Sequence, residues 1–160
     1  MRKNHGHTLL ELLVVLAIMA ALAAIAFPAS TKDPTRKLDT AQLAVQDALD
    51  HAMALALDKA AIFGVRFDVD TECFAVLDEE ANFVEDPLSH GDYIVRLHAP
   101  GEPTDVVIDL VDFGGAPVAV FNEKGVLYQS GQIRLRCGTT QRWLTVDTAT
   151  AALTEIPVGP

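Results

Sequence analysis

Sixteen consecutive residues near the start of the chain, Leu12 to Phe27 (LLVVLAIMAALAAIAF), carry no polar side chain. Such a run has no face to give to water, so it cannot be a surface helix of a small soluble domain. Leu9, Leu10 and Glu11 extend it to nineteen residues with one charge. As a helix it is roughly 28 Å long, about the thickness of a bilayer's hydrocarbon core. A basic leader, Met1-Arg2-Lys3-Asn4-His5-Gly6, stands before it. Positive flanks stay cytoplasmic, so the rest of the chain is expected to face outward. Three readings of this start compete: a removed secretory signal peptide, a plain membrane anchor, and an anchor in which Glu11 has a role. A carboxylate inside lipid is costly and usually has a partner. The simpler account of Glu11 places it at the headgroup level, one turn from the leader.

The run also resolves a composition that pulls two ways. The 160 residues are 50% hydrophobic, yet 22 acidic against 12 basic residues leave a net charge of -10. The acid is concentrated: thirteen acidic residues and a single basic one, Arg96, lie between Asp68 and Asp112. An acidic surface excludes nonspecific nucleic-acid binding, which needs cations for phosphate. It equally excludes docking of the domain surface on anionic lipid. The length allows one ordinary domain plus an anchor.

Asp33-Pro34 is a helix start, with Asp as N-cap and Pro at the first helical position. Leu38, Ala41, Val45, Ala48, Leu49, Ala52, Leu55 and Ala56 then recur at helical spacing, with Asp39, Gln42, Gln46, Asp47, Asp50 and Asp58 on the other face. The spacing predicts an amphipathic helix to Lys59 that packs on a sheet. From Ala61 the period changes. Ile62–Phe67, the turn Asp68–Glu72 and Cys73–Leu77 read as a hairpin, and weaker strands are expected at Tyr93–Leu97, Val106–Leu110, Val118–Phe121, Gln132–Cys137, Trp143–Val146 and Ala152–Ile156. The expected fold is α+β: a long N-terminal helix, its first half in the membrane and its second half packed on a small antiparallel β-sandwich head.

The string Gly6-His7-Thr8-Leu9-Leu10-Glu11, followed by the apolar run, resembles the processing site of type IV pilins and the pseudopilins of type II secretion. In that family a prepilin peptidase cuts after the glycine and N-methylates the new first residue, and a glutamate stands at the fifth mature position. The resemblance implies a cut between Gly6 and His7, methylation of His7, and Glu11 as the assembly residue. Thr8, Leu9, Leu10 and Pro28 fit the pattern; His7 departs from it, where a large apolar residue is usual. The implied segments are a cleaved leader over 1–6, an assembly helix over 7–28, the amphipathic helix over 29–60 and a β-rich head over 61–160. The hairpin FGVRFDVDTECFAVLD and the closing segment VFNEKGVLYQSGQIRLRCGTTQRWLTVDTATAAL are similar to those of the H-type minor pseudopilin and related minor pilins, with Ala151 where relatives carry a glycine.

A bundle of such helices buries the new amine of each subunit. A carboxylate from a staggered neighbour neutralises it, and neither charge is tolerable alone in lipid. Ala17, Ala20, Ala21, Ala23, Ala24 and Ala26 allow close helix approach, or are ordinary helix filling. The implied partners are other pilin or pseudopilin subunits, the prepilin peptidase and the inner membrane, with the head in the periplasm. The alternatives are a minor pilin of a type IV pilus or DNA-uptake system, and an exported binding domain with an ordinary signal peptide.

No residue set points to catalysis. The histidines His5, His7, His51, His90 and His98 have no metal spacing, and Ser30, Ser89 and Ser130 stand in no nucleophile context. Asp68, Asp70 and Glu72 alternate as calcium ligands do, but lack the glycine and distal glutamate of an EF-hand. A solvated turn accounts for them, and no other cofactor is expected. Arg134, Arg136 and Arg142 are the basic cluster of the last third. Some related minor pilins bind DNA through C-terminal arginines, but the tail here has none, so pairing with acidic neighbours is expected and DNA is not. Cys73 and Cys137 either form a disulfide, which an extracytoplasmic compartment permits, or stay as two buried thiols.

Overall fold

The computed structural model describes residues 33–97 and 105–157. The leader, the apolar run and His98 lie outside them, and so does Pro28. Helix α1 spans Pro34–Lys59. Its first turn is closed as the Asp33-Pro34 pair requires: the Thr35 amide donates to Asp33 Oδ1 at 3.0 Å, and Pro34 occupies a position whose amide needs no partner. The helix stops at Ala60, which adopts the left-handed conformation (φ 47°, ψ 47°) and donates its amide to the Ala56 carbonyl. A residue with a Cβ is uncommon there, where glycine is the usual helix terminator. Among the described residues no helix is long and apolar enough to cross a membrane.

Eight strands follow: β1 (Phe63–Asp68), β2 (Cys73–Asp78), β3 (Ile94–Arg96), β4 (Val106–Asp112), β5 (Val118–Phe121), β6 (Gly131–Cys137), β7 (Thr140–Val146) and β8 (Leu153–Ile156). They form two four-stranded sheets of order β3-β2-β1-β5 and β4-β6-β7-β8. Every pairing is antiparallel. The expected hairpin is present in full register, from Phe63 opposite Asp78 to Asp68 opposite Cys73.

One apolar core joins the helix to both sheets. The inward stripe of α1 is Leu38, Ala41, Val45, Ala48, Leu49, Ala52 and Ala56, all buried. Its four alanines let the helix axis lie close to strands of both sheets. The larger side chains come from the sheets: Phe63, Val65 and Phe67 of β1, Phe74 and Val76 of β2, Ile133 and Leu135 of β6. Burying each such side chain contributes roughly 1.5–3 kcal/mol. Strand β6 shows the two-residue period plainly, with Gly131, Ile133, Leu135 and Cys137 inward and Gln132, Arg134 and Arg136 outward.

Strand β2 breaks the alternation. Ala75 and Leu77 point away from the core yet are buried. The β2–β3 connection covers them, folding back so that Leu77 bridges Phe83 and Glu85 bridges Asp92. A strand covered on both faces reads as a continuous apolar run, as CFAVL does.

Candidate functional site

Gly6, His7 and Glu11 lie outside the described residues. What the structure places is the head that those residues would carry, and how it is fastened to the helix leading to them. Two polar side chains, Gln46 and Arg142, join α1 to β7, β8 and the turn between them. Gln46, on the outer flank of α1, accepts from the Leu153 amide at 2.8 Å and donates to the Ala151 carbonyl at 3.2 Å. It thereby supplies hydrogen bonds to the free edge of β8. The Asp147–Ala152 turn it grips includes Ala151, left-handed at φ 56° and buried. Arg142 of β7 is the second. Its guanidinium donates to Asp39 Oδ1 at 2.6 Å and Gln42 Oε1 at 2.9 Å on α1, and lies 3.6 Å from Glu155 Oε2 on β8. With its side chain only 12% exposed, Arg142 is shielded enough for these contacts to count. Gln46→Ala is expected to cost about 1–3 kcal/mol, because it strands a part-buried amide and carbonyl. Melting of the full chain in detergent micelles checks this.

The other two arginines of the basic cluster also have acidic partners. Strand β4 has a register shift between Ile108 and Leu110, and the residue between them, Asp109, faces both. Arg134 Nε lies 2.9 Å from one carboxylate oxygen as an ion pair rather than an aligned hydrogen bond, and Arg136 Nε donates to the other at 3.3 Å. The Arg134 guanidinium also sits 4.9 Å over the Trp143 ring. The expected pairing of Arg134, Arg136 and Arg142 with acidic neighbours is what the structure holds.

Cys73 and Cys137 are both free. Cys73 opens β2 in one sheet and Cys137 closes β6 in the other, so each is fixed by a different ladder. Cys137 is buried, and Cys73 Sγ lies 3.1 Å from Thr71 Oγ1.

Among the described residues no three of His, Cys, Asp and Glu gather to hold a metal ion. Asp68, Asp70 and Glu72 form a turn in which Asp68 accepts from the Asp70 and Thr71 amides at 3.0 and 3.1 Å. Glu72 is left-handed at φ 53°. Thr71 hydrogen bonds hold the Asp68 carboxyl below its ordinary value. Three more turns repeat the device. Asp78 is lowered first by the Asn82 amide, Asp86 by the Leu88 amide and Asp147 by the Thr150 hydroxyl. A carboxyl whose folded pKa is depressed stabilises the fold above its unfolded value and loses that contribution as pH falls. The head is therefore expected to lose stability below about pH 4. Asp147→Asn should flatten the fall of the melting midpoint with acid.

His51 of α1 stacks on Tyr93 with centroids 4.9 Å apart and planes 13° from parallel. Its buried Nε2 finds no hydrogen-bond partner among the described residues. Burial, then Asp47 and Asp86, push the Tyr93 phenol up. The stack pins the β2–β3 connection to the helix. His90, three residues before Tyr93 in that connection, meets Glu85 at 3.1 Å in the open.

Residues 1–27 match the prokaryotic N-terminal methylation motif. The chain is similar to a crystal structure of the type IV minor pilin FimU of Pseudomonas aeruginosa and to a solved structure of the minor pseudopilin EpsH of the Vibrio cholerae type 2 secretion system. The chain carries that motif, and its fold is pilin-like. FimU is 13% identical with a TM-score of 0.53, the match covering 77% of this chain and 90% of that one. EpsH is 16% identical with a TM-score of 0.53, covering 74% and 94%. A second crystal form of FimU gives 9% identity and a TM-score of 0.51. No curated protein matches the chain. At these identities the likeness is one of fold, and it is the pilin-like fold of a helix followed by antiparallel sheets. One chain thus carries both the methylation motif, over residues 1–27, and a pilin-like fold.

Proposed function

We propose that the chain is a non-enzymatic minor pseudopilin-like subunit that assembles through its N-terminal helix into a type II secretion pseudopilus. In this reading prepilin peptidase cuts between Gly6 and His7 and methylates the His7 amine. The apolar helix then holds the subunit in the inner membrane with its head in the periplasm. Glu11 neutralises the His7 amine of its own or a neighbouring subunit and sets the axial register. The observation that carries the reading is the coincidence of a methylation motif over residues 1–27 with a pilin-like head in one chain. A minor pilin of a type IV pilus is the second reading, favoured by the equal likeness to FimU. Removal of Arg2 and Lys3 with the leader takes the net charge from -10 to -12. So acidic a subunit suits unlike neighbours better than copies of itself.

The test is Gly6→Val, co-expressed with a prepilin peptidase. The variant is expected to stay at precursor mass while the wild type shortens by six residues. Equal shortening of both proteins would contradict the assignment of the cut.

A further inference from the structure

Beyond the helix end, α1 and the β2–β3 connection enclose a groove of about 440 Å³. Phe83, Ile62 and Val84 supply its apolar surface, with the buried Phe63 at its floor, and Asp78, Glu79, Glu80 and Glu85 its carboxylates. Among the described residues the one cation lining it is Lys59, whose ammonium lies 5.5 Å over the Phe63 ring.

Phe83 is 43% exposed although the backbone that carries it is well fastened. The Asp78 amide donates to Asn82 O at 3.0 Å and the Asn82 amide to Asp78 Oδ1 at 2.9 Å, while the Val84 amide donates to Val76 O at 3.0 Å. The aromatic ring is therefore presented, not merely unburied. Arg66 stands 5.8 Å over that ring, so Phe63 and Phe83 each already receive a cation from this chain. On the same connection Leu88 is 91% exposed. Aromatic rings beside carboxylates suit a guanidinium or ammonium group on an aliphatic stem. A second copy of this chain is a poor occupant, because it brings an acidic head to an acidic groove and commits Arg134, Arg136 and Arg142 to internal pairs.

We propose that this groove docks a basic segment of a different polypeptide, its aliphatic stem on Phe83 and its cationic heads on Glu79, Glu80 and Glu85. Lys59 holds the place in the free head and moves aside on binding. The inference concerns the head alone, and rests on the assembly reading only if the neighbour is a fellow subunit.

The test uses the full chain in detergent micelles and a short, end-capped, fluorescent peptide alternating arginine and leucine. Its affinity, read by anisotropy, is expected to fall about tenfold in Phe83→Ala and in the double variant Glu79→Gln/Glu80→Gln. It is expected to rise several-fold in Lys59→Ala. Asp70→Asn, at the far end of the β1–β2 hairpin, should leave it unchanged. Equal binding by all four variants would overturn the proposal in favour of diffuse attraction to an acidic surface. No binding would overturn it too, as would concentration-dependent self-association lost in Phe83→Ala, which makes a second copy the occupant. The substituted positions are solvent-exposed, and unchanged melting confirms that each variant folds. The variants leave the residues Gly6, His7 and Glu11 of the sequence unaltered, so correct N-terminal processing without groove binding sinks this proposal alone.

Discussion

In the Glu11→Ala protein, incorporation into the filament is expected to fall on the order of a hundredfold while cleavage and methylation continue. The magnitude follows from the cost of one unpaired charge in lipid, about 3 kcal/mol, at about 1.4 kcal/mol per tenfold. Methylation leaves the His7 amine a cation. Without the carboxylate that cation has no partner inside the bundle, and the axial stagger that would pair the two loses its driving force. Glu11→Gln should behave like Glu11→Ala, because charge and not side-chain length is what matters. Sheared filament and membrane fractions, compared for the two variants and the wild type, give the readout. Wild-type incorporation of Glu11→Gln would remove the role assigned to this residue.

The second large effect lies in the head. Gly131 opens β6 opposite Val146, and a Cβ added there would fall within contact distance of the Phe113 ring. Phe113 has little room to yield: it is buried and stacked on Phe67 with centroids 6.1 Å apart and planes 13° from parallel. Gly131→Ala is expected to cost about 3 kcal/mol, the upper part of the range for overpacking a core. In a head of this size that lowers the melting midpoint by about ten degrees. Phe113→Ala alone should cost about 3–5 kcal/mol through the cavity it leaves. The two costs should not add, because the methyl on residue 131 fills part of the space that the lost ring vacates. A double variant as unstable as the sum of the singles would show that glycine is needed there for another reason.

Much of the head could be read from one sequence, and the reason is its strong local patterning. Asp33-Pro34 marks the start of α1, its buried stripe recurs at helical spacing, and all eight strands fall where short β runs alternate between turn residues. What could not be read depends on residues distant in sequence. Nothing local tells β5 to join β1 rather than its later neighbours. Nothing local tells Gln46, which reads as one more polar residue on a solvated helix face, to grip β8. The turns hid for a different reason. Ala60, Ala81 and Ala151 hold left-handed conformations without the glycine that usually announces them. Acidic pairs such as Asp78-Glu79 and Glu85-Asp86 read as exposed loops. In the structure Asp78 and Asp86 organise the connection between them through amide bonds. Asp109 signals its place only through the irregular register of β4, which periodicity cannot reveal. The candidate assembly residues Gly6, His7 and Glu11 are proposed from spacing alone and lie outside the described residues.

That spacing makes one claim about a covalent bond, and intact-mass analysis with sequencing of the mature N-terminus tests it most directly. The account predicts a chain that begins at His7 and carries one methyl group on its amine. A chain that begins near Ala29 would contradict it, making the apolar run a discarded signal peptide and the head an ordinary exported domain.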